Sequence, residues 1–396
     1  MWFIKRKNIK TICMTVVFLL VGVLGFTSCE KSQAQSNGWD VRVIKERDTD
    51  ISQSLTYEGS MELEYAENFA VDYYTGGSAL ITMINKDRFL IVPKETAVPE
   101  DLSEDIIVLP EDMSDIYLVA SAAMDMFREL DAIENIRFSG QEEENWCIEE
   151  AREAMAEGDI LYAGKYNMPD YELIVSEGCS LAIENNMIYH TPEVIEKLES
   201  FDIPVLVDYS SYESHPLGRV EWVKLYGVLL GRRDAAETAF EKQTAILKSV
   251  QNEESTGKTV AFFYINASGA VNVRQSTDYV PKMIELAGGE YIFSDLNEGN
   301  HKSSMNMQFE EFYEEAKDAD YLVYNSTIDG ELTTIEDLLD KNEMLKDFKA
   351  VQEGNVWCTT SDLYQQSMSL GKFIEDIHNM LTGADEGEIQ YMYLLP

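Results

Sequence analysis

Residues that could catalyse a reaction or bind a metal are few and widely spaced in this chain. Its four histidines follow no metal-ligand spacing: His190, His215, His301 and His378. The GxSxG, HExxH, GxxxxGK[ST] and GxGxxG motifs are all missing. Acidic pairs are numerous, but in a chain with 72 Asp and Glu residues their closeness in sequence says little about acid–base catalysis. The sequence therefore favours a binding protein over an enzyme, and it predicts neither a cofactor nor a metal site.

Cysteines divide into an N-terminal pair and a scattered trio. Cys13 and Cys29 lie in the N-terminal segment, which leaves Cys147, Cys179 and Cys358. Three widely spaced cysteines form neither a disulfide framework nor a CxxC metal site. We expect them to be small buried apolar residues, with one disulfide allowed.

The N-terminus predicts export. A basic segment without acids precedes an apolar run over residues 12–26, which is short for a membrane span and typical of a signal peptide. The sequence Phe26-Thr27-Ser28-Cys29 resembles a bacterial lipobox, which implies cleavage before Cys29 and lipidation of its sulfur. An uncleaved membrane anchor is the alternative. Both interpretations place the rest of the chain outside the cytoplasm, on the bacterial cell membrane.

Charge and composition restrict the class further. The formal net charge is −41, and 45% of the 396 residues are hydrophobic. An excess of acid this large argues against nucleic-acid binding, which requires a cationic surface. The apolar content supplies a core, and the length suggests two lobes.

Patterning of the exported part predicts an α/β protein. The segment 39–93 has strand character, including the alternating run 60–65. Short apolar runs then alternate with helical stretches, which is typical of largely parallel sheets. The strands are predicted at 88–92, 106–109, 159–163, 181–184, 204–207, 259–265 and 321–324, and the helices at 121–130, 192–201, 234–251, 279–287, 335–348 and 368–382.

Residues 234–251 are predicted to form one long helix that joins two lobes. Asp234 is a suitable N-cap, and roughly 27 Å of helix would reach from one lobe to the other. The predicted organisation is a signal peptide over 1–28, a lipidated cysteine and flexible tether over 29–55, an N-terminal α/β lobe over 56–233, a connecting helix over 234–252 and a C-terminal α/β lobe over 253–396.

Four segments carry a resemblance to a known family. They are residues 164–172 (GKYNMPDYE), 212–222 (YESHPLGRVEW), 280–289 (VPKMIELAGG) and 349–357 (KAVQEGNVW). In order and spacing the chain resembles the substrate-binding lipoproteins of ABC importers for iron complexes and cobalamin, over roughly residues 60–385. The resemblance implies two α/β lobes joined by a rigid helix, a ligand cleft between them, a monomer and an ABC permease dimer as partner.

The resemblance also implies a docking glutamate on each lobe. Glu172 and Glu310 each lie in an acidic helix start that leads into a buried strand, and Glu311 is a rival to Glu310. Exposed carboxylates on both lobes could set the register on a permease through arginine pairs. The alternative is that both are ordinary acids at helix starts.

Candidate ligand-binding residues are aromatic, cationic or polar side chains near the predicted cleft. Aromatic rings could stack on a planar or catecholate ligand, and Arg or Lys could pair with an anionic iron complex. The candidates are Trp146, Lys165, Tyr166, Tyr212, Glu213, His215, Arg219, Arg274, Gln275 and Tyr279. Arg219 and His215 could instead brace the chain before the connecting helix, and Trp146 and Tyr166 could be core aromatics.

The expected ligand is a small-molecule metal chelate, with a ferric siderophore first and haem or cobalamin as alternatives. Two other classes of protein stay open. An exported metalloprotein on a similar two-lobed scaffold would need Cys147, Cys179 and Cys358 to converge on one cleft. An interaction lipoprotein would have a filled lobe interface without a cleft.

Overall fold

The computed structural model describes residues 42–251, 254–297, 303–384 and 386–396. The predicted signal peptide, Cys29 and the first part of the tether lie outside the described residues. Among the helices in the described ranges, none combines the length and the apolar character needed to cross a membrane.

A short helix and a five-stranded sheet come first. They are α1 (Arg42–Lys45), β1 (Tyr57–Ser60), β2 (Phe69–Tyr74), β3 (Ala79–Met83), β4 (Arg88–Val92) and β5 (Ile106–Pro110). The strands lie in chain order, antiparallel from β1 to β4, and β5 pairs with β4 in parallel. The strand prediction for the run 60–65 is wrong beyond Ser60, where β1 ends.

Residues 47–55, which the sequence predicted to be flexible tether, pack against this first sheet. The Arg47 guanidinium donates to both carboxylate oxygens of buried Asp72, at 2.6 Å each. The Tyr74 hydroxyl donates to the Thr49 carbonyl at 3.0 Å, and Ile51 is buried. We therefore propose that the tether ends before Arg47 and that the N-terminal lobe begins there.

A second sheet is parallel throughout. Its region contains α2 (Ser121–Glu129), α3 (Glu149–Glu157), α4 (Tyr171–Ser176), α5 (Pro192–Glu199) and the strands β6 (Ile116–Leu118), β7 (Ile136–Ser139), β8 (Leu161–Tyr162), β9 (Gly164–Lys165), β10 (Met168–Pro169), β11 (Leu181–Asn185) and β12 (Val205–Asp208). The strand order is β12-β11-β6-β7-β8, and β9 and β10 form a separate hairpin. Buried runs alternating with helices produce this arrangement, as the pattern predicts.

Three helices follow: α6 (Pro216–Glu221), α7 (Val223–Leu229) and α8 (Arg233–Gln251). The helix α8 covers the predicted range 234–251 and contacts α7. Gly227 of α7 makes a close approach possible, because a β-carbon there would come within 2.5 Å of the Ala236 side chain.

The third sheet occupies the C-terminal part. Its region contains β13 (Thr259–Ile265), β14 (Val271–Arg274), β15 (Glu290–Tyr291), β16 (Ser304–Met307), β17 (Tyr321–Tyr324), β18 (Val356–Thr359), β19 (Met392–Leu394), α9 (Tyr279–Leu286), α10 (Phe309–Ala316), α11 (Ser326–Asp329), α12 (Ile335–Lys341), α13 (Lys349–Glu353) and α14 (Leu370–Thr382). The order is β16-β14-β13-β17-β18-β19, with β15 beside β13. The centre, β13-β17-β18, is parallel, and the edge pairs are antiparallel.

Mixed α/β lobes with parallel centres confirm the predicted fold class. The predicted boundaries at residues 234 and 253 concern a separate question and stay predictions. Cys147, Cys179 and Cys358 are all free. Cys179 and Cys358 are buried as expected, whereas the expectation is wrong for Cys147, which is exposed.

Candidate functional site

A cavity of about 580 Å³, here called the larger cavity, lies where strand ends of the two α/β lobes face each other. Loops that follow β6, β11 and β12 form one side, and residues near the start of α9 and β16 form the other. This is the usual place for ligands in open α/β sheets. Its wall consists of Ala120, Ser121, Ala122, Asn185, Asn186, Met187, Asp208, Ser211, Tyr212, Glu213, Arg219, Thr277, Asp278, Tyr279, Ser303 and Ser304.

A smaller cavity of about 270 Å³ adjoins it. The two share seven wall residues: Ser121, Ala122, Ser211, Arg219, Asp278, Tyr279 and Ser303. Arg274 lines only the smaller cavity, as do residues of the 363–370 segment. The cleft therefore consists of two adjacent compartments, with an arginine and a tyrosine in their common wall.

Arg219 and Tyr279 form a contact between the lobes. The guanidinium carbon of Arg219 in α6 lies 3.6 Å from the centre of the Tyr279 ring in α9, as a cation–π pair. Arg219 also donates through Nε to the Glu213 carbonyl at 3.2 Å and through Nη2 to the Ser211 carbonyl. These partners hold the Arg219 side chain in place, which supports its alternative role as a brace.

Two buried carboxylates line the larger cavity, but internal donors occupy their oxygens. Burial raises the pKa of Glu213 to about 7, and its carboxylate accepts from Trp222 Nε1 at 2.9 Å and from backbone amides of residues 67–68. Burial also raises the pKa of Asp208, which accepts from the Ser210 amide and the Tyr226 hydroxyl. Neither carboxylate is arranged as a free ligand for a metal ion.

Five of the predicted ligand residues line these cavities and five do not. Tyr212, Glu213, Arg219 and Tyr279 line the larger cavity, and Arg274 lines the smaller one. Lys165 and Tyr166 belong to the β9–β10 hairpin region and are not among the wall residues.

Core positions account for two of the other three. Trp146 is only 2% exposed, and its indole N–H donates to Ser139 Oγ at 3.0 Å. Gln275 is buried, and its amide donates to the Ser304 carbonyl. Side chains enclosed in this way present little surface to a ligand.

His215 is built into the start of α6. Its Nδ1 accepts from the Leu217 amide at 3.1 Å, and its ring stacks on Tyr65 with 4.4 Å between ring centres. Burial lowers the pKa of His215 to about 4, so the ring is neutral near pH 7. This arrangement is that of a helix N-cap and favours the structural role for His215.

The two predicted docking glutamates occupy equivalent places in their lobes. Glu172 is the second residue of α4 and Glu310 is the second residue of α10. Both are exposed. Each helix is followed by a buried strand, β11 or β17, as the sequence predicts.

Sequence reasoning missed the small polar residues of the wall. Asn185, Asn186 and the serines at 121, 211, 303 and 304 surround the larger cavity. Their signal in the sequence is weak, because small polar residues follow many strands. The position directly after a buried apolar run is the feature that could have identified Asn185–Asn186.

A segment of the C-terminal lobe binds the N-terminal lobe beside the smaller cavity. Gln365 Oε1 accepts from the Cys147 amide at 2.8 Å, and Gln365 Nε2 donates to the Asn145 carbonyl at 2.7 Å. The Met368 amide donates to buried Asp125 at 2.7 Å. We call residues 365–368 the bridging segment.

The two alternative classes of protein, an interaction lipoprotein and an exported metalloprotein, can be compared with this geometry. A cleft is present between the lobes, whereas the interaction lipoprotein was expected to have a filled interface. Within the described ranges, no group of three or more His, Cys, Asp or Glu side chains is placed to hold a metal ion. The three cysteines lie in separate places: an exposed loop, the loop before β11, and β18.

Comparison with known families agrees with this architecture. A family described as "Periplasmic binding protein" matches residues 142–363, more than half of the chain. The chain belongs to this family of periplasmic binding proteins.

Two relatives from Methanocaldococcus jannaschii are described as uncharacterized lipoproteins. One is 26% identical over 334 residues, covering 76% of this chain and 77% of the relative. The other is 24% identical over 396 residues, covering 95% of this chain and 97% of the relative. The likeness extends over most of both chains, so the chain has relatives of similar length that are classed as lipoproteins.

Solved structures share the fold at low sequence identity. A periplasmic binding protein from Veillonella parvula has a TM-score of 0.58 and 16% identity, covering 69% of this chain and 93% of its own. The haem-binding protein HutB of Vibrio cholerae has a TM-score of 0.54 and 17% identity, and the match covers 67% of this chain and 98% of HutB. The catecholate-siderophore binding protein VctP of Vibrio cholerae has a TM-score of 0.54 and 14% identity, and the match covers 70% of this chain and 95% of VctP.

Proposed function

We propose that this protein is the extracytoplasmic substrate-binding component of an ABC importer, that it captures an iron complex, and that a ferric siderophore is its ligand. The observation that carries the proposal is the larger cavity of about 580 Å³ between the two lobes, lined from both sides. Its volume falls in the range of small-molecule sites. The similar folds of a haem-binding protein and a catecholate-siderophore binding protein support the choice of an iron complex.

The protein then acts without covalent chemistry. It binds the chelate as a monomer, stays near the membrane through a lipid on Cys29, and presents the loaded cleft to a permease dimer. The resemblance of residues 26–29 to a lipobox and the naming of two relatives as lipoproteins support the anchor. Haem and cobalamin are the alternative ligands of the same cleft.

Tryptophan fluorescence of the full-length protein in mild detergent tests the proposal. Trp222 is a suitable reporter, because its indole N–H bonds to Glu213 in the cavity wall. We expect saturable changes with a ferric siderophore at micromolar concentration or below. Saturation with haem or cobalamin alone would replace the siderophore, and no response to any of the three would refute the iron-complex proposal.

A further inference from the structure

We propose that Asn266 is a glycosylation site, where an oligosaccharide is joined to the side-chain amide once the chain has been exported. The co-substrate is a sugar chain carried on a lipid phosphate or diphosphate, and a membrane-bound transferase makes the bond. This inference goes beyond the proposed function, because it does not depend on which ligand the cleft takes. Its basis is the difference between two Asn-X-Ser/Thr motifs of the chain.

The two motifs are residues 266–268 (Asn-Ala-Ser) and residues 325–327 (Asn-Ser-Thr). Such a motif accepts a sugar where its asparagine is accessible on the surface of an exported protein. In both motifs the hydroxyl of the third residue donates to the asparagine Oδ1, from Ser268 at 2.6 Å and from Thr327 at 2.7 Å. Because this local geometry is shared, accessibility decides which motif can be modified.

Asn266 lies in the turn between β13 and β14. Its backbone amide donates to the Ala270 carbonyl at 3.0 Å, and residues 267–269 are exposed. Asn266 Oδ1 also accepts from the Ser268 and Ala270 amides, at 2.9 and 3.2 Å, which fixes the side chain. Within the described residues no protein group bonds to Asn266 Nδ2, so this nitrogen is available to a transferase.

Asn325 is enclosed by the C-terminal lobe. It follows β17 and is only 1% exposed, as is Ser326. Its Nδ2 donates to the Tyr364 hydroxyl at 2.9 Å, and its backbone amide donates to the Phe263 carbonyl at 2.8 Å. A sugar on this nitrogen would break the bond to Tyr364 and has no room in the folded protein. Asn325 is therefore an internal negative control with the same motif.

The β13–β14 turn extends past the parallel centre of the sheet. The pairing of β13 with β17 ends where Phe263 lies opposite Tyr324, two residues before the end of β13 at Ile265. None of residues 264–270 lines the larger or the smaller cavity. A sugar chain on Asn266 thus projects from the edge of the lobe and leaves the wall of the ligand cleft unchanged.

The reaction is a group transfer without oxidation or reduction. Asn266 Nδ2 forms a bond to the anomeric carbon of the first sugar. The bond between that carbon and a phosphate oxygen breaks, and the lipid phosphate or diphosphate leaves with the electron pair. One amide proton passes to a base of the transferase. The chain itself supplies the nitrogen and the Ser268 hydroxyl that holds the amide in place.

Mass spectrometry tests this inference on the full-length protein, purified in detergent from membranes of the organism that encodes it. Trypsin cuts after lysine and arginine and releases Asn266 in peptide 259–274. The control Asn325 lies in peptide 318–341. We expect sugar masses and sugar fragment ions on the first peptide and none on the second. An unmodified peptide 259–274 would overturn the proposal.

Three variants produced in the same organism identify the atom that carries the sugar. Asn266→Asp keeps the Oδ1 acceptor of the turn and Ser268→Ala removes the hydroxyl, and both should lose the modification, whereas Ser268→Thr should keep it. A sugar that persists in Asn266→Asp is linked elsewhere and refutes the assignment. All three variants should bind a ferric siderophore as the wild type does. If the wild type binds none, the proposed function fails and the glycosylation site is unaffected.

Discussion

The carboxylates of Glu213 and Glu221 together accept hydrogen bonds from five consecutive backbone amides, residues 64–68. Glu221 accepts from the first three at 2.8–2.9 Å, and Glu213 accepts from the last two at 3.0–3.1 Å. Both glutamates are buried and belong to the segment just before α7. They fasten the chain between β1 and β2 to the wall of the ligand cleft.

Glu221→Gln should destabilise the fold by about 3 kcal/mol, because one of the two oxygens that receive the three amides becomes an N–H₂ donor facing them. Urea unfolding followed by circular dichroism measures this change. Glu62→Gln is the control, since Glu62 is exposed in the same stretch and should shift stability by less than about 0.5 kcal/mol. Equal stabilities for the two variants would contradict the assignment.

Glu184 of β11 should make stability fall as the pH rises. It is fully buried, both carboxylate oxygens have no hydrogen-bond partner in the described residues, and burial raises its pKa to about 8. In the unfolded chain the pKa is about 4.3. The carboxyl is protonated in both states at low pH, and between these two values only the unfolded chain releases the proton, so ionisation favours unfolding.

Glu184→Gln removes this titration. Between pH 5 and pH 8, the free energy of unfolding of the variant should rise by at least about 1 kcal/mol relative to that of the wild type. Chemical denaturation at the two pH values checks it. Glu196→Gln is the control, because Glu196 is exposed in α5, and its stability should depend on pH as in the wild type. If the stability of Glu184→Gln falls as steeply with pH as that of the wild type, the mechanism is ruled out.

Gln365→Ala should loosen the cleft on the side of the smaller cavity. Both hydrogen bonds of the Gln365 amide go to backbone groups of the other lobe, so their loss should speed ligand dissociation several-fold with a modest effect on stability. Stopped-flow fluorescence measures the rate. Gln366→Ala is a close control, because Gln366 bonds to Asp362 within its own lobe. Similar dissociation rates for the two variants would argue against a role for the bridging segment.

Glu172→Arg combined with Glu310→Arg should abolish uptake while ligand binding stays intact. The changes reverse the charge at equivalent exposed places on the two lobes, where a basic permease surface is proposed to dock. Uptake in cells and ligand titration of the purified protein are measured in parallel. Controls are Glu193→Arg, in the first turn of α5, and Glu311→Arg, which tests the rival to Glu310. Normal uptake by the double variant would exclude docking through these residues.

Sequence patterns predicted best the elements whose burial is nearly uniform. The strands at Arg88–Val92, Thr259–Ile265 and Tyr321–Tyr324 have the predicted bounds, because central strands read as continuous apolar runs. The run 60–65 failed for the opposite reason. Its alternation is typical of a strand, but Glu221, about 156 positions later in the chain, provides acceptors for its amides. Such a long-range partner has no signature in a local pattern.

The residues of the candidate site also differed in how well they could be predicted from the sequence. Tyr212, Arg219 and Tyr279, which line the larger cavity, were chosen as candidates because aromatic and cationic residues stand out near the predicted cleft. Trp146 shows the limit of that reasoning, since its type suits a ligand contact and a core position equally. The bracing role of Arg219 could not be predicted, because it depends on which backbone carbonyls lie within reach of its guanidinium.

The bridging segment has a consequence for the energetics of transport. It and the Arg219–Tyr279 pair connect the lobes through three hydrogen bonds and one cation–π contact, which must break when the lobes separate. The free energy that separates the lobes must then come from outside this protein. In the proposed importer, the permease would have to supply it when the ligand is released.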